Sequence, residues 1–318
     1  MSKQRKLSYL FSILWVAILF AAIMGAVATG VINSYYSGIL VLIGINIILA
    51  VSLNLVTGFL GQLVLGHAGF MSVGAYSAAL FTMHAGLPIS VAFPLGLIFG
   101  GLVAAIFGVI IGVPALRLRG DYLAIITLGF GEIIRVLVLA VDFTGGAAGL
   151  TGIPYIEGKY TLIIYTFFIA FLTVVAILAF IRSRHGRAVI AIREDEIAAE
   201  ASGINTTYYK LLAFVVAAFF AGVAGGIYAH YIGVLDPSKF DFNYSVEILI
   251  MVVLGGMGSI TGSVCSATVL TLLPEMLRSF ADKRMLIYSL VLIIVMLFKP
   301  TGLLGTREFS VRKIVGKL

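Results

Sequence analysis

The chain holds very little from which covalent chemistry is built. Cys265 is the only cysteine in 318 residues, so no disulfide can form within the chain and cysteine usage says nothing about redox compartment. The four histidines, His67, His84, His185 and His230, are dispersed. No second histidine or carboxylate stands at metal-ligand spacing from His67, so no metal site is expected. Gly-x-Ser-x-Gly, His-Glu-x-x-His and the phosphate loop Gly-x-x-x-x-Gly-Lys-Ser/Thr are all missing, and the chain is not expected to hydrolyse ATP or act as an enzyme by itself. Charge is scarce as well. Asp, Glu, Lys and Arg make up 11% of the residues, against roughly a quarter in soluble domains.

What fills the chain instead is apolar. Hydrophobic residues account for 61% and the mean hydropathy is +1.14, which places the chain among all-α, polytopic integral membrane helical bundles. No interval is left in which a soluble core could form, so residues 1–318 read as a single transmembrane domain. A membrane helix needs about 20 mostly apolar residues. Ten stretches qualify, at 9–28, 37–57, 63–83, 89–113, 122–141, 160–181, 211–232, 245–257, 262–277 and 285–298. The eighth and ninth are short enough to be half-spans, a re-entrant pair or tilted helices, giving about 8–10 transmembrane helices.

Net charge is +7, but no basic and aromatic patch points to nucleic acid. The basic residues serve as topology signals, because short cytoplasmic loops are enriched in them. With the N-terminus inside, fifteen of the 21 fall on the cytoplasmic side: Lys3, Arg5, Lys6, Arg117, Arg119, Arg182, Arg184, Arg187, Arg193, Lys210, Lys299, Arg307, Arg312, Lys313 and Lys317. Lys159, Lys239, Arg278, Lys283 and Arg284 fall outside, and Arg135 lies within a span. Both termini are then cytoplasmic. The first apolar run is longer than the 7–15 residues of a signal core, so it is read as an uncleaved span despite the small residues Ala26-Val27-Ala28. Ten spans also split into two five-span halves of opposite orientation, as in inverted-repeat transporters. No sequence match joins the halves, and the glycine-rich runs at 58–74 and 255–262 sit at different places within them.

Three features stand out from the apolar background. The run Gly58, Gly61, Gly66, Gly69 and Gly74, with Asn54, Gln62 and His67 among or just before it, allows close helix contact or a locally broken helix. Polar groups at membrane depth must be buried in protein or line water. The segment is therefore either a glycine-packed core element or part of a translocation path. Glu132 and Arg135, three apart in the fifth span, share a helix face. They read as a structural ion pair or as a gate in that same path, since a charge at bilayer centre costs at least ~2.5 kcal/mol.

The third feature is the charged island at 186–203, GRAVIAIREDEIAAEASG, within a cytoplasmic loop at about 182–210. Read as one helix, it sets Ile190, Ile197, Ala201 and Ile204 in one stripe, with Arg193, Glu196 and Glu200 supporting one another. A helix lying on lipid favours basic residues on its polar face. Here that face carries Glu194, Asp195, Glu196 and Glu200, so the island reads as a docking surface for a soluble protein.

NLVTGFLGQLVLGHAGFMSVGAY, RLRGDYLAIITLGFGEIIR, GRAVIAIREDEIAAEASGINTTYYKLLAF and GGMGSITG occur in this order along most of the chain. In them the chain resembles the inner-membrane permeases of bacterial branched-chain amino acid ABC importers, of the larger type in the Leu/Ile/Val system. The resemblance implies a homologous second permease subunit, two cytoplasmic ATP-binding subunits and an external substrate-binding protein, besides membrane lipid. No cofactor is expected on this chain, ATP being used by the partner subunits.

The resemblance also implies an ATPase-coupling interface at Arg193, Glu196, Ile197, Ala198, Ala199, Glu200, Ala201 and Gly203. The general importer pattern Glu-Ala-Ala-x-x-x-Gly is met at Ala198, Ala199 and Gly203, while Ile197 stands where Glu would be. The expected translocation path comprises Asn54, Gln62, Gly66, His67, Gly69, Glu132 and Arg135, worked by alternating access. Two other classes stay open from the residues alone. One is an ion-coupled secondary transporter using Glu132 and Glu247, the other an intramembrane enzyme, for which no paired catalytic groups stand out.

Overall fold

The computed structural model describes residues 34–118, 120–156, 161–277, 284–299, 301–303 and 305. The span expected at 9–28, both termini with their basic clusters, and Arg119, Lys159, Arg278 and Lys283 lie outside the described residues. Helix α1 (Ser34–Asn54) runs on as a π turn, Leu55–Phe59. After it come α2 (His67–His84), α3 (Ile89–Ala115), α4 (Asp121–Ala140) and α5 (Thr161–Arg182). Two short helices follow, α6 (Arg184–Glu194) and α7 (Glu196–Ala201), and then α8 (Thr206–Ile232), α9 (Phe242–Gly255), α10 (Ile260–Met276) and α11 (Arg284–Phe298). Among the described residues the one β feature is an isolated antiparallel bridge between Leu150 and Leu235. The protein is an all-helical polytopic membrane protein. Among the described residues five elements are long and apolar enough to cross a bilayer: α1 with its π turn, α3, α4, α5 and α8.

The structure corrects two of the expected helices. The span expected at 63–83 begins only at His67, and the chain from Gly61 to Gly66 is irregular. Gly61 turns the chain with φ of 77°, a conformation glycine adopts without steric cost. The freed backbone groups are met locally, by Gln62 N–H to Val56 O at 3.0 Å and Leu65 N–H to Thr127 Oγ1 at 3.1 Å, as burial away from water requires. The island at 186–203 is likewise two helices. The break falls at Asp195, which is extended at φ −159° and accepts from the N–H groups of Ile197 and Ala198 at 2.9 and 3.0 Å. A side-chain acceptor on those amides starts a new helix at Glu196. The single apolar stripe therefore does not form.

α1 is apolar all round and buried along most of its length, as a helix with no polar face must be. It packs against α5, α8, α9 and α10. The second centre of packing is α2 with α3 and α8, where glycines replace side chains at the crossings. A Cβ on Gly222 would lie 2.8 Å from Gly100 O, and one on Gly225 would lie 2.8 Å from the Ala75 nitrogen. In lipid no hydrophobic force drives helices together, so such backbone approach supplies the van der Waals contact instead. α3 shows the division: Gly100, Ala104 and Gly108 are buried on one side, while Ile98, Leu102, Ile106 and Ile110 face outward.

The threading places the basic residues together. Tyr35 at the start of α1 hydrogen-bonds Glu275 at the end of α10, and Asn54 at the other end of α1 bonds Ser259 at the start of α10. Gly112 near the end of α3 meets Leu211 near the start of α8. Arg117, Arg182, Arg184, Arg187, Arg193 and Lys210 thus share the end of the bundle that carries α6 and α7, and Lys239 lies beyond the far end of α8.

Candidate functional site

At the basic end, α6 and α7 form a short hairpin held down on one side. Ser183 caps α6, accepting from Gly186 N–H, and Ala188, Val189 and Ile192 are buried beneath it. In α7 Ala199 is buried, Glu196 pairs with Lys210 Nζ at 2.7 Å, and Glu200 accepts from Thr206 Oγ1 at 3.0 Å. Lys210 is the more deeply placed partner, its side chain 4% exposed against 21% for Glu196. Gly203, at φ 83°, turns the chain into Asn205, which caps α8. These anchors leave one face open. Ile197 is 73% exposed, and Ala198, Ala201 and Gly203 beside it are also exposed. Glu196 and Glu200 thus reach back to α8 across the turn, while Arg193 lies beyond the break at Asp195.

Beneath the hairpin the two glycine-rich runs meet. Asn54, fully buried, donates to Ser259 O and Ser263 Oγ at 2.9 and 2.8 Å and accepts from Gly258 N–H at 2.9 Å. Gly58 leaves the room for this, since a Cβ there would lie 2.9 Å from Asn54 Cγ. Runs that the sequence set at unrelated places in its halves therefore form one junction. Replacing Asn54 by alanine should cost about 1 kcal/mol, because the part-buried Gly258 N–H loses its acceptor. The expected result is a lowered melting temperature in detergent, with faster amide exchange at Gly258. An unshifted melt would show that water replaces the side chain.

Further along the bundle the end of the irregular run and the first turn of α2 bring Gly66 and Gly69 to α4. A Cβ on Gly69 would lie 2.9 Å from the Gly131 Cα, and one on Gly66 would lie 2.9 Å from the Thr127 carbonyl carbon. Beside this crossing is a shallow cleft too narrow to hold a water molecule, lined by Leu65, Gly69 and Glu132 and, from the opposite side, by Asp241, Phe242 and Ser245. Ser245 Oγ accepts from Ala68 N–H at 3.1 Å, so the starts of α2 and α9 converge there. Glu132 is paired with Arg135, Oε2 to Nε at 2.7 Å, both about one-third exposed.

The residues expected to line a path are thus divided among three places. Gly66, Gly69, Glu132 and Arg135 gather around the α2–α4 crossing. Asn54 belongs to the glycine junction, and Gln62, half-buried, lies in the irregular run above it. His67 is in the core, 2.9 Å from Ser52 Oγ on α1. Asp241, Phe242 and Ser245 were not singled out as site residues, although Asp241 accepting from Tyr244 N–H at 3.0 Å is a side-chain cap of a recognisable kind. Lys210 was read only as a topology signal. No group of three or more His, Cys, Asp or Glu able to hold a metal occurs among the described residues.

Comparison with known proteins agrees with this architecture. The family model for the permease component of branched-chain amino acid transport systems matches residues 35–299. The high-affinity branched-chain amino acid transport system permease protein LivM of Salmonella typhimurium is 39% identical over 291 residues, covering 82% of this chain and 68% of its own length. LivM of Escherichia coli is 38% identical with the same coverage. LivH of Escherichia coli is 35% identical over 143 residues, 44% of this chain and 46% of LivH. No solved structure gives a significant match. With a family model spanning most of the described bundle and relatives aligned over four-fifths of the sequence, the chain belongs to the permease-component family of branched-chain amino acid transport systems.

Proposed function

We propose that this chain is a membrane subunit of an ATP-driven importer of branched-chain amino acids in the bacterial inner membrane, with the α6–α7 hairpin and both termini in the cytoplasm. The observation that carries the reading is the hairpin itself. Its inner side is tied to α8 through the Glu196–Lys210 pair, and its outer side offers Ile197 with a low border of small residues. A large exposed apolar side chain flanked by residues that permit close approach suits a groove in a soluble partner. The chain itself carries no phosphate loop, so the energy source belongs to that partner, taken to be a pair of cytoplasmic ATPases. A homologous second permease and an external binding protein complete the assembly. Substrate selected outside would pass by alternating access, along the cleft beside Gly69 and Glu132.

Burial and backbone conformation decide which substitutions bear on docking. Ala199 is buried and Gly203 has positive φ, so an arginine at either would disturb the hairpin rather than its outer face. Ile197→Asp and Ala201→Arg alter the exposed side alone. Wild-type chain copurified with its ATPase in mild detergent should retain the partner, while each variant should lose at least tenfold at unchanged yield. Undiminished association in both would remove the hairpin from the interface.

A further inference from the structure

We infer that Arg193 is a positioning residue that makes the two glycine turns move as one with the hairpin, an inference that rests on the reading of the hairpin as an ATPase docking element. Arg193 sits in the last turn of α6, two residues before the break at Asp195. Its side chain is directed at the membrane domain. A Cβ on Gly61 would lie 3.0 Å from Arg193 Cγ and 3.8 Å from its Cδ, and one on Gly258 would lie 2.9 Å from its Nη1. The stem therefore crosses the first turn and the guanidinium reaches the second.

Both glycines are at positive φ, 77° and 86°, where a side chain would be strained. The same absence of side chains makes room for the arginine. The second turn is already joined to the end of α1 by Asn54, which bonds Gly258, Ser259 and Ser263. Each turn separates two helices. Gly61 stands between the π end of α1 and α2, whose start borders the cleft, and Gly258 stands between α9 and α10. A displacement of α6 thus bears on both discontinuities at once, whereas Glu196 and Glu200 of α7 reach Lys210 and Thr206 of α8. Lysine would keep a stem over Gly61 but not the planar fork at Gly258.

The test compares wild type, Arg193→Ala, Arg193→Lys and, as a control on the same helix, the exposed Arg187→Ala. Amide hydrogen exchange on the purified full chain is read at Gln62, Gly258 and Ser259, whose N–H groups bond Val56 O, Asn54 Oδ1 and Gly256 O. Arg193→Ala should exchange at least tenfold faster there, and Arg187→Ala as wild type does. In the reconstituted importer, Arg193→Ala should lower labelled leucine imported per ATP hydrolysed at least tenfold. Arg193→Lys should fall between, and it carries the test if the alanine variant does not fold. Unchanged exchange or unchanged leucine per ATP would each overturn the assignment. A wild-type chain that brings down no ATPase would instead sink the docking reading, with the exchange arm still deciding whether Arg193 holds the turns.

Discussion

Gly222→Val should leave no folded monomer in detergent, whereas Gly129→Ala should fold and melt slightly higher than wild type. The contrast is set by what surrounds each α-carbon. Around Gly222 a Cβ would meet Gly100 O at 2.8 Å and the Gly101 Cα at 3.1 Å on α3, with Gly74 of α2 pressed against it from the other side. Backbone cannot rotate away as a side chain can, so three helices would have to separate together. Overpacking costs typically ~1–3 kcal/mol, and more where no neighbour can give. A cost above ~3 kcal/mol is expected here, a large share of a total stability of about 5–15 kcal/mol. Gly129 has nothing within 4 Å of its Cβ position, and alanine in a helix interior gains roughly 0.5–1 kcal/mol over glycine. Size-exclusion profiles and thermal melts in one detergent decide the matter. A Gly222→Val protein melting within about 3 °C of wild type, equivalent to ~1 kcal/mol in a chain of this size, would mean that the crossing is not as close as described.

The positions of the helices were legible in the sequence because the bilayer imposes a length, and each span expected within the described residues falls on a helix. Where the reading failed, a side chain had overridden local periodicity. Asp195 ends one helix by capping the next, and a helical pattern of apolar residues across it carries no mark of that break beyond the aspartate. A locally broken helix at 61–66 is one of the two uses of glycine the sequence allows, and only the tertiary partners decide between them. Thr127 and Asn54 supply the hydrogen bonds that make a broken helix tolerable at depth. The candidate path was the least legible part. Glu132 could be placed on a helix face from its spacing, but Asp241 and Ser245 reach it from 109 and 113 positions further along the chain, a separation that no local pattern encodes.

The Glu196–Lys210 pair gives the other large expected effect, because its lysine is almost wholly buried. Breaking a buried pair from one side leaves an uncompensated charge and costs about 3–5 kcal/mol. Lys210→Met should fall near the lower end, since Glu196 keeps 21% exposure and can turn toward water. The double variant Lys210→Met with Glu196→Gln removes both charges and should recover most of the loss, as apolar replacement of a whole buried pair is often neutral. The coupling energy from the double-mutant cycle then measures the tie between α7 and α8 directly. Thermal melts supply the cycle, and amide exchange at Ala199 and Ser202 locates it. Those two amides bond Asp195 O and Ala198 O, so in the single variant they should exchange faster, with the core of α8 less affected. If the single and double variants melt alike, the two charges do not compensate each other. The hairpin would then be held by the burial of Ala199, Val189 and Ile192 and by the Glu200–Thr206 hydrogen bond, contacts with less power to fix its angle on α8.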